Sequence, residues 1–348
     1  MPDISVAASR LQSLVGSLFS AHGVDAEQAA LLAKTLVGAD LDGVASHGCA
    51  LVPMYIDRLL AGGLAIHARP EIAEDHGGLL VVDANNSLGT TSSQFAVNAV
   101  VERAREHGIA IVSVRHAFHF GTAAYWAKSI TESGMIGFAF SNTRPLMPAP
   151  GGAASVVGNN PMAIAFPSES GEPLVVDMAT SATAMGRIRN AAMQGKPIPT
   201  GWATDKDGHD TTDPQEAITG MLLPAGGPKG FGIAVAIDLL CGALSSGGVG
   251  AGVKPLYGDP ATPYNCAHAF IAIDANKVNN GAGIGAVVAR FAQTIRDSRR
   301  AADVAEIFAP GDLERHRRLI AEGRCTVSAA LAEKINALAA QAEIAERI

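Results

Sequence analysis

Apolar positions recur at helical spacing through the first sixty residues. Val6, Leu11, Leu14, Val15, Leu18 and Phe19 share one face, and Gly23 ends that run. Residues 26–38 and 51–60 repeat the pattern. The period then changes. Residues 79–83 form a short unbroken apolar run that reads as a buried strand, 92–107 read as a helix and 108–114 as a second buried strand. That order suggests a βαβ unit. Residues 122–133 read as helix, and 136–140, 162–166 and 174–176 as strands. From 186 to 227 polar, Gly and Pro residues dominate, which predicts one long functional loop. An apolar helix over 231–244, a strand over 269–273 and a mostly helical end from about 285 follow. The pattern predicts an α/β protein without internal repeats.

A length of 348 residues is too great for one small core and suggests two subdomains or one large α/β unit. With 48% hydrophobic and 17% charged residues, the surface is sparsely charged, as when part of it is buried against another subunit. Net charge is −7 with no basic tract, which argues against nucleic acid as a partner. No apolar stretch reaches the roughly 18–20 residues of a membrane span. The N-terminus lacks a basic, apolar signal. Cys49, Cys241, Cys266 and Cys325 are scattered without a CxxC pair, so they read as reduced thiols of a cytoplasmic protein. There is no HExxH, no paired metal-ligand spacing and no GxSxG, and no metal is expected.

The chemistry centres on Ser46-His47-Gly48, at a junction between two helical runs. Imidazole titrates near neutrality and suits proton transfer. Ser46 can bond one ring nitrogen or cap the next helix, and Gly48 permits close approach to the backbone. A GxGxxG fingerprint between strand and helix is absent. The glycines at 248–252 and 281–285 read as turns. Other segments could meet a dinucleotide. His119-Phe120-Gly121-Thr122 ends a strand and opens a helix, where backbone N–H groups attract phosphate. Lys229-Gly230 opens another helix behind two glycines and a proline. Asp177-Met178-Ala179-Thr180 follows a strand, at the edge where α/β ligands bind.

Together these motifs resemble the malate/L-lactate dehydrogenase family of the second type, which also holds ureidoglycolate and sulfolactate dehydrogenases and cyclic imino-acid reductases. The matching segments are Ser46-His47-Gly48, His119-Phe120-Gly121, Ser141-Asn142-Thr143, Gly151-Gly152 and Gly158-Asn159-Asn160-Pro161. Asp177 to Ser181, Gly201-Trp202-Ala203, Thr212-Asp213-Pro214, 222–227, Lys229-Gly230 and Pro310-Gly311-Asp312 complete the ordered set. The resemblance implies a non-Rossmann NAD(P)-binding sheet domain, residues 76–299, flanked by a helical domain of residues 1–75 and 300–348. It implies NAD or NADP as cofactor, a homodimer, and His47 as proton donor and acceptor with Ser46 as relay. Cofactor contacts would fall on His119, Phe120, Gly121, Thr122, Ala123, Asp177, Met178, Ala179, Lys229, Gly230, Gly311 and Arg315. Asn160 would lie near the substrate.

Two departures bear on that substrate. Relatives commonly carry an arginine four residues after the motif histidine, where this chain has Leu51. Arg144 stands instead where small or uncharged residues are usual, and a guanidinium can grip a carboxylate or sulfonate through parallel bonds. Imino-acid reductases carry an aspartate soon after the Asp-Met-Ala-Thr motif, whereas the matching stretch here is Met185-Gly186-Arg187. A base there favours an anionic keto acid. The expected activity is therefore hydride transfer between a nicotinamide and a small 2-hydroxy or 2-keto acid, of malate, lactate or sulfolactate type. A ketimine reductase of cyclic imino acids and a dimeric cofactor-binding protein without turnover are the alternatives.

Overall fold

The computed structural model describes residues 3–348; Met1 and Pro2, where the stretch read for a signal begins, lie outside them. Strand β1 (Ile4–Ala7) leads into helix α1 (Ala8–Ala21), against which α2 (Ala26–Leu41) packs. Leu11, Leu14, Val15, Leu18 and Phe19 of α1 are all fully buried, as their spacing predicts. Val6 departs from that stripe. It lies in β1, which pairs antiparallel with β13 (Arg324–Val327) and so ties the two chain ends together. Asp25 caps α2 by accepting the Glu27 N–H at 3.1 Å. Two single 3₁₀ turns, Ala45–His47 and Cys49–Leu51, carry the chain into α3 (Val52–Ala61). Gly62, left-handed at φ 82°, ends α3.

Seven strands form the main sheet, in the order β2 (Glu71–Asp75), β3 (Leu79–Asp83), β4 (Ile109–Ala117), β12 (Cys266–Ile273), β5 (Ile136–Ser141), β8 (Met162–Phe166) and β9 (Leu174–Met178). Only β3 and β4 are parallel neighbours, joined across α4 (Gly89–His107). The βαβ reading thus holds for that pair alone. Beyond α5 (Ala123–Thr131), β5 does not join β4, because β12 inserts between them antiparallel to both. β2 escapes a periodicity reading because it is a polar edge strand with every residue exposed.

Residues 186–227 are not the single loop that their composition suggests. They hold α6 (Met185–Met193) and α7 (Pro214–Thr219). Two short ladders lie beside them, β6 (Met147–Pro148) with β7 (Ser155–Val157) and β10 (Ala203–Thr204) with β11 (Met221–Leu222). Met147, Val157, Ile188, Ile198, Ala203 and Leu222 make a second small core there, drawn from apolar residues too widely spaced to show a period. α8 (Pro228–Asp238) continues into a π turn over Leu239–Ala243. The C-terminal part contains α9 (Gly285–Arg296), α10 (Asp312–Ile320) and α11 (Ala329–Gln341), interrupted by β13. The main core is continuous from the terminal helices into the sheet, through Leu14, Leu36, Ile56, Val112, Trp126, Phe270 and Ile335. All four cysteines are free and buried. Among the described residues no helix is long and apolar enough to cross a membrane.

Candidate active site

Gly48 is where the local sequence dictates the site. A Cβ at this position would lie 1.8 Å from Asp40 Oδ1, so only glycine lets the turn close onto that carboxylate. Asp40 Oδ2 then accepts the Cys49 N–H at 2.9 Å. Burial holds the Asp40 pKa above the usual carboxylate range, against the hydrogen bonds from Cys49. This anchor presents Ser46, exposed, and His47, half-buried, on the 3₁₀ turn before α3. Ser46 Oγ lies 3.0 Å from His47 Nδ1, which leaves Nε2 for a ligand.

His47 faces a second histidine. Its ring stacks on His119, centroids 5.4 Å apart. His119 Nδ1 lies 2.6 Å from the Tyr55 hydroxyl and accepts the Gly121 N–H at 3.4 Å, so its proton sits on Nε2. Burial, then the neighbouring His47 and His268, hold the His119 pKa well below the normal imidazole value, and the ring is neutral. Burial also lowers the pKa of His47. The next residue, Phe120, is buried and lies nearly parallel to His268, centroids 4.3 Å apart and planes 6° from coplanar. His268 donates from Nε2 to the Phe118 carbonyl at 3.0 Å, and its Nδ1 lies 3.0 Å from Ser141 Oγ. Burial pulls its pKa down to about 4, so it is a neutral strut. Asp40, Tyr55 and His268 were invisible to motif reading, because each acts on a residue far away in the chain or on its backbone.

The Ser141-Asn142-Thr143 segment is bolted in place. Asn142 donates to Asp238 Oδ1 at 2.8 Å and to the Gly248 carbonyl at 2.7 Å, and accepts the Ala267 N–H at 2.7 Å. Asn160 is fully buried: its Oδ1 accepts the Thr143 N–H at 2.9 Å and its Nδ2 donates to the Ala234 carbonyl at 2.8 Å. Its amide therefore supports Thr143 and has both ends engaged. Arg144 leaves this frame exposed, its side chain without a hydrogen bond or ion pair among the described residues. Burial raises the pKa of the nearby Tyr264 hydroxyl, and the Arg144 charge opposes that rise. Leu51 is packed in the main core and offers no group to a ligand. Arg187 lies exposed on α6, and no contact joins it to the histidines.

The remaining predicted residues lie on segments that backbone hydrogen bonds tie to β9 and the turn after it. Thr180 N–H donates to the Asn159 carbonyl and Ala225 N–H to the Thr180 carbonyl, which draws Asp177, Met178 and Ala179 beside the loop before α8. There Gly226 and Gly227 have positive φ, Pro228 occupies the first helical turn and no side chain caps the helix. A Cβ on Gly230 would meet the Ala225 carbonyl at 2.1 Å, so this tight entry needs glycine. Lys229 is exposed and unpaired among the described residues. Thr180 Oγ1 and Thr183 Oγ1 are buried without a partner, an arrangement that a polar ligand would complete. Thr122 and Ala123 open α5 with no side-chain cap. The neighbouring Ala124 N–H favours the charged form of Asp177, yet burial and then Glu314 raise that carboxyl to about 6 although solvent reaches it. Gly311, at φ 93°, opens α10, and the Val175 N–H donates to the Pro310 carbonyl, so this segment abuts β9. Arg315 is held by Asp312 at 3.0 Å. Among the described residues no group of three His, Cys, Asp or Glu side chains could hold a metal ion.

The family model described as malate/L-lactate dehydrogenase matches residues 6–336. The chain belongs to the malate/L-lactate dehydrogenase family. It is 33% identical over 304 residues to the malate/(S)-sulfolactate dehydrogenase of Methanothermus fervidus, covering 87% of this chain and 88% of that one. It is 32% identical over 275 residues to the ureidoglycolate dehydrogenase (NAD(+)) of Escherichia coli, 78% of each chain. The solved sulfolactate dehydrogenase of Methanocaldococcus jannaschii superposes with a TM-score of 0.93 at 31% identity over 98% of both chains. Within this malate/L-lactate dehydrogenase frame, the seven-stranded mixed sheet is the α/β architecture that the ordered motifs imply.

Proposed function

We propose that the chain is an oxidoreductase that interconverts a small 2-hydroxy acid and its 2-keto acid with NAD or NADP. The observation that carries this reading is the His47 ring, fixed by Ser46 at 3.0 Å and stacked on a neutral His119, with Nε2 unengaged. When bound, the nicotinamide cofactor takes up or delivers the hydride. Lys229, the uncapped start of α8 and the Asp177–Ala179 segment would hold it, and the buried, unpartnered hydroxyls of Thr180 and Thr183 fit such a polar occupant.

His47 then performs the proton half of the reaction. In oxidation its Nε2 takes the hydroxyl proton; in reduction it returns a proton to the developing alkoxide. Ser46, exposed to water, relays that proton between Nδ1 and solvent. His119, neutral with its proton on Nε2, is a fixed donor for a carbonyl oxygen at no cost in reorganisation. Arg144 is the cation for the substrate's acid group, since Leu51 is sealed in the core. A panel of 2-hydroxy acids with both cofactors, followed at the nicotinamide absorbance, tests this. Turnover of cyclic imino acids with none of any hydroxy or keto acid would overturn it.

The same reading includes a homodimer in the cytoplasm. Ile233, Leu239 and Leu244 are 42%, 49% and 38% exposed along one side of α8 and its π turn, beside Gly232, Ala236 and Ala243. An apolar stripe of that length is what a second copy would cover. Four unpaired buried thiols support a reducing compartment. Light scattering of wild type and of Ile233→Asp/Leu239→Asp tests the dimer. A wild-type monomer would refute it.

A further inference from the structure

The proton-transfer chemistry leaves one buried charge without a task. Arg58 is 1% exposed, yet no carboxylate lies within ion-pair distance of it among the described residues. All three of its nitrogens donate to main-chain carbonyls of a single loop: Nε to Leu256 at 3.0 Å, Nη1 to Thr262 at 2.7 Å and Nη2 to Pro255 at 2.8 Å. Taking a guanidinium out of water is costly, and neutral carbonyls repay it only when every donor is satisfied in good geometry. A side chain used in this way reports that the loop must be held.

The same loop is docked a second time on the same helix. A Cβ on Gly63, just past the end of α3, would lie 1.9 Å from the Pro260 carbonyl oxygen, so backbone meets backbone there. The loop connects the α8 segment to β12, whereas α3 begins one short 3₁₀ turn after the turn that carries His47. One turn before Arg58, Tyr55 reaches His119, and its ring edges Phe118 at 5.0 Å. Tyr264, at the far end of the loop, edges Phe118 at 6.0 Å from another direction, and the Arg58 guanidinium lies 6.0 Å from that ring. Phe118 immediately precedes His119. The helix after His47, the Phe118-His119 segment and loop 255–262 therefore meet at one post, and Arg58 is the clamp.

We infer that Arg58 is a positioning residue for the reaction: by clamping loop 255–262 onto α3 it sets the distance between His47 and the substrate held on the sheet. It touches no reacting atom. The inference rests on His47 being the proton carrier. If the clamp is lost, the proton donor drifts while Asp177–Ala179 and the start of α8, which lie on other elements, keep their hold on the cofactor. Misplacement on the order of 1 Å is enough to lower turnover by about 10²-fold.

Arg58→Lys, Arg58→Met and Gly63→Ala test it, with kcat, cofactor Kd, thermal melting and isotope effects measured on each. Arg58→Met should lower kcat roughly 10–100-fold with cofactor Kd within about twofold of wild type. The solvent deuterium effect on kcat should rise and the effect of deuterium on the nicotinamide should fall, because proton transfer becomes the slow step. Arg58→Lys should recover part of the rate, since an ammonium cannot reach three carbonyls at once. If Arg58→Met does not fold, Gly63→Ala strains only the Pro260 contact and should show the same isotope signature with a smaller drop. Variants with wild-type isotope effects, whatever their stability, would overturn the clamp. An active His47→Ala enzyme would instead overturn the reading on which it rests.

Discussion

The proposed proton-transfer side and the proposed anion side of the site are built on opposite plans. Around His47 and His119 the supporting polar groups already have protein partners: Asp40 on Cys49, Ser46 on His47, Tyr55 on His119, His268 on Ser141 and the Phe118 carbonyl. By contrast, the side chains of Arg144, Arg187 and Lys229 stand exposed, with no hydrogen bond or ion pair among the described residues. The difference is physical. A group that must be aimed to within a fraction of an ångström is fixed before the ligand arrives, because order paid for at folding costs nothing at the moment of reaction. A surface cation keeps its water at little cost and exchanges it for an anion on binding. The comparison makes a general claim: damage on the first side should appear in turnover, and damage on the second in binding.

The sharpest test of the first side is His47→Ala. Turnover should fall roughly 10²–10⁴-fold, with cofactor Kd nearly unchanged in a direct titration. Activity within a few-fold of wild type would transfer the role to His119. The pH dependence has a definite sign. Burial lowers the His47 pKa beneath its ordinary 6.5, so the neutral base persists further into the acid range. Oxidation should therefore rise with pH through a midpoint below 6.5 and then level, and reduction should fall through the same midpoint. A midpoint above that value would break the link between this histidine and the rate.

Arg144 is the proposed anion partner on the second side. Arg144→Ala should raise KM for the acid by one to two decades, corresponding to about 1.4–3 kcal/mol for a charge-assisted bond, with a smaller change in kcat. Arg144→Lys should recover only part of it. Adding Leu51→Arg would rescue the loss only if that side chain could leave the core in which Leu51 is 2% exposed, so no rescue is expected. Wild-type kinetics in Arg144→Ala would move the anion site to Arg187.

Sequence patterns reached the two sides unequally. The Ser46-His47-Gly48 turn was legible because its chemistry is local: one hydroxyl, one imidazole and a glycine that a carboxylate crowds. Its supports were not. Tyr55 meets His119 across 64 residues, and His268 meets Phe118 across 150, so no spacing rule could pair them. The α1 stripe was readable, but Val6 fits a helical period and a strand equally, and only pairing with Cys325 settles it. The family resemblance implies Asn160 near the substrate; its amide is engaged by Thr143 and Ala234, partners that no motif announces. The exposed cations were legible as charges, since an arginine among small residues is conspicuous, but nothing in the pattern shows which of them face the histidines.

Lys229 should give a smaller effect than Arg144, because it is exposed and in the proposed site would share its ligand with backbone N–H groups at the uncapped start of α8. Lys229→Ala should raise cofactor Kd roughly 3–10-fold, less than a buried hydrogen bond to a charged group contributes because the lysine is exposed, and leave the ranking of acids unchanged. The deficit should shrink as salt is raised, since an exposed ion pair is screened. An effect that is independent of ionic strength would place Lys229 outside the phosphate contact.

Tyr55→Phe sharpens the comparison at its finest grain. The phenol lies 2.6 Å from His119 Nδ1, and its removal takes away one neutral hydrogen bond. A lost bond of this kind is worth about 0.5–1 kcal/mol when the freed atom finds another partner, or roughly a two- to fivefold change in rate. A substitute is at hand: the Gly121 N–H already lies 3.4 Å from the same nitrogen and can tighten onto it. The ring should therefore keep its tautomer, so kcat should fall slightly while KM and cofactor Kd stay level. The rest of Tyr55 is fully buried against Phe118, and phenylalanine preserves that packing. A loss of tenfold or more in kcat would mean that the phenol itself handles the proton, and the proton-transfer side would then extend one residue further into the protein than the histidine pair.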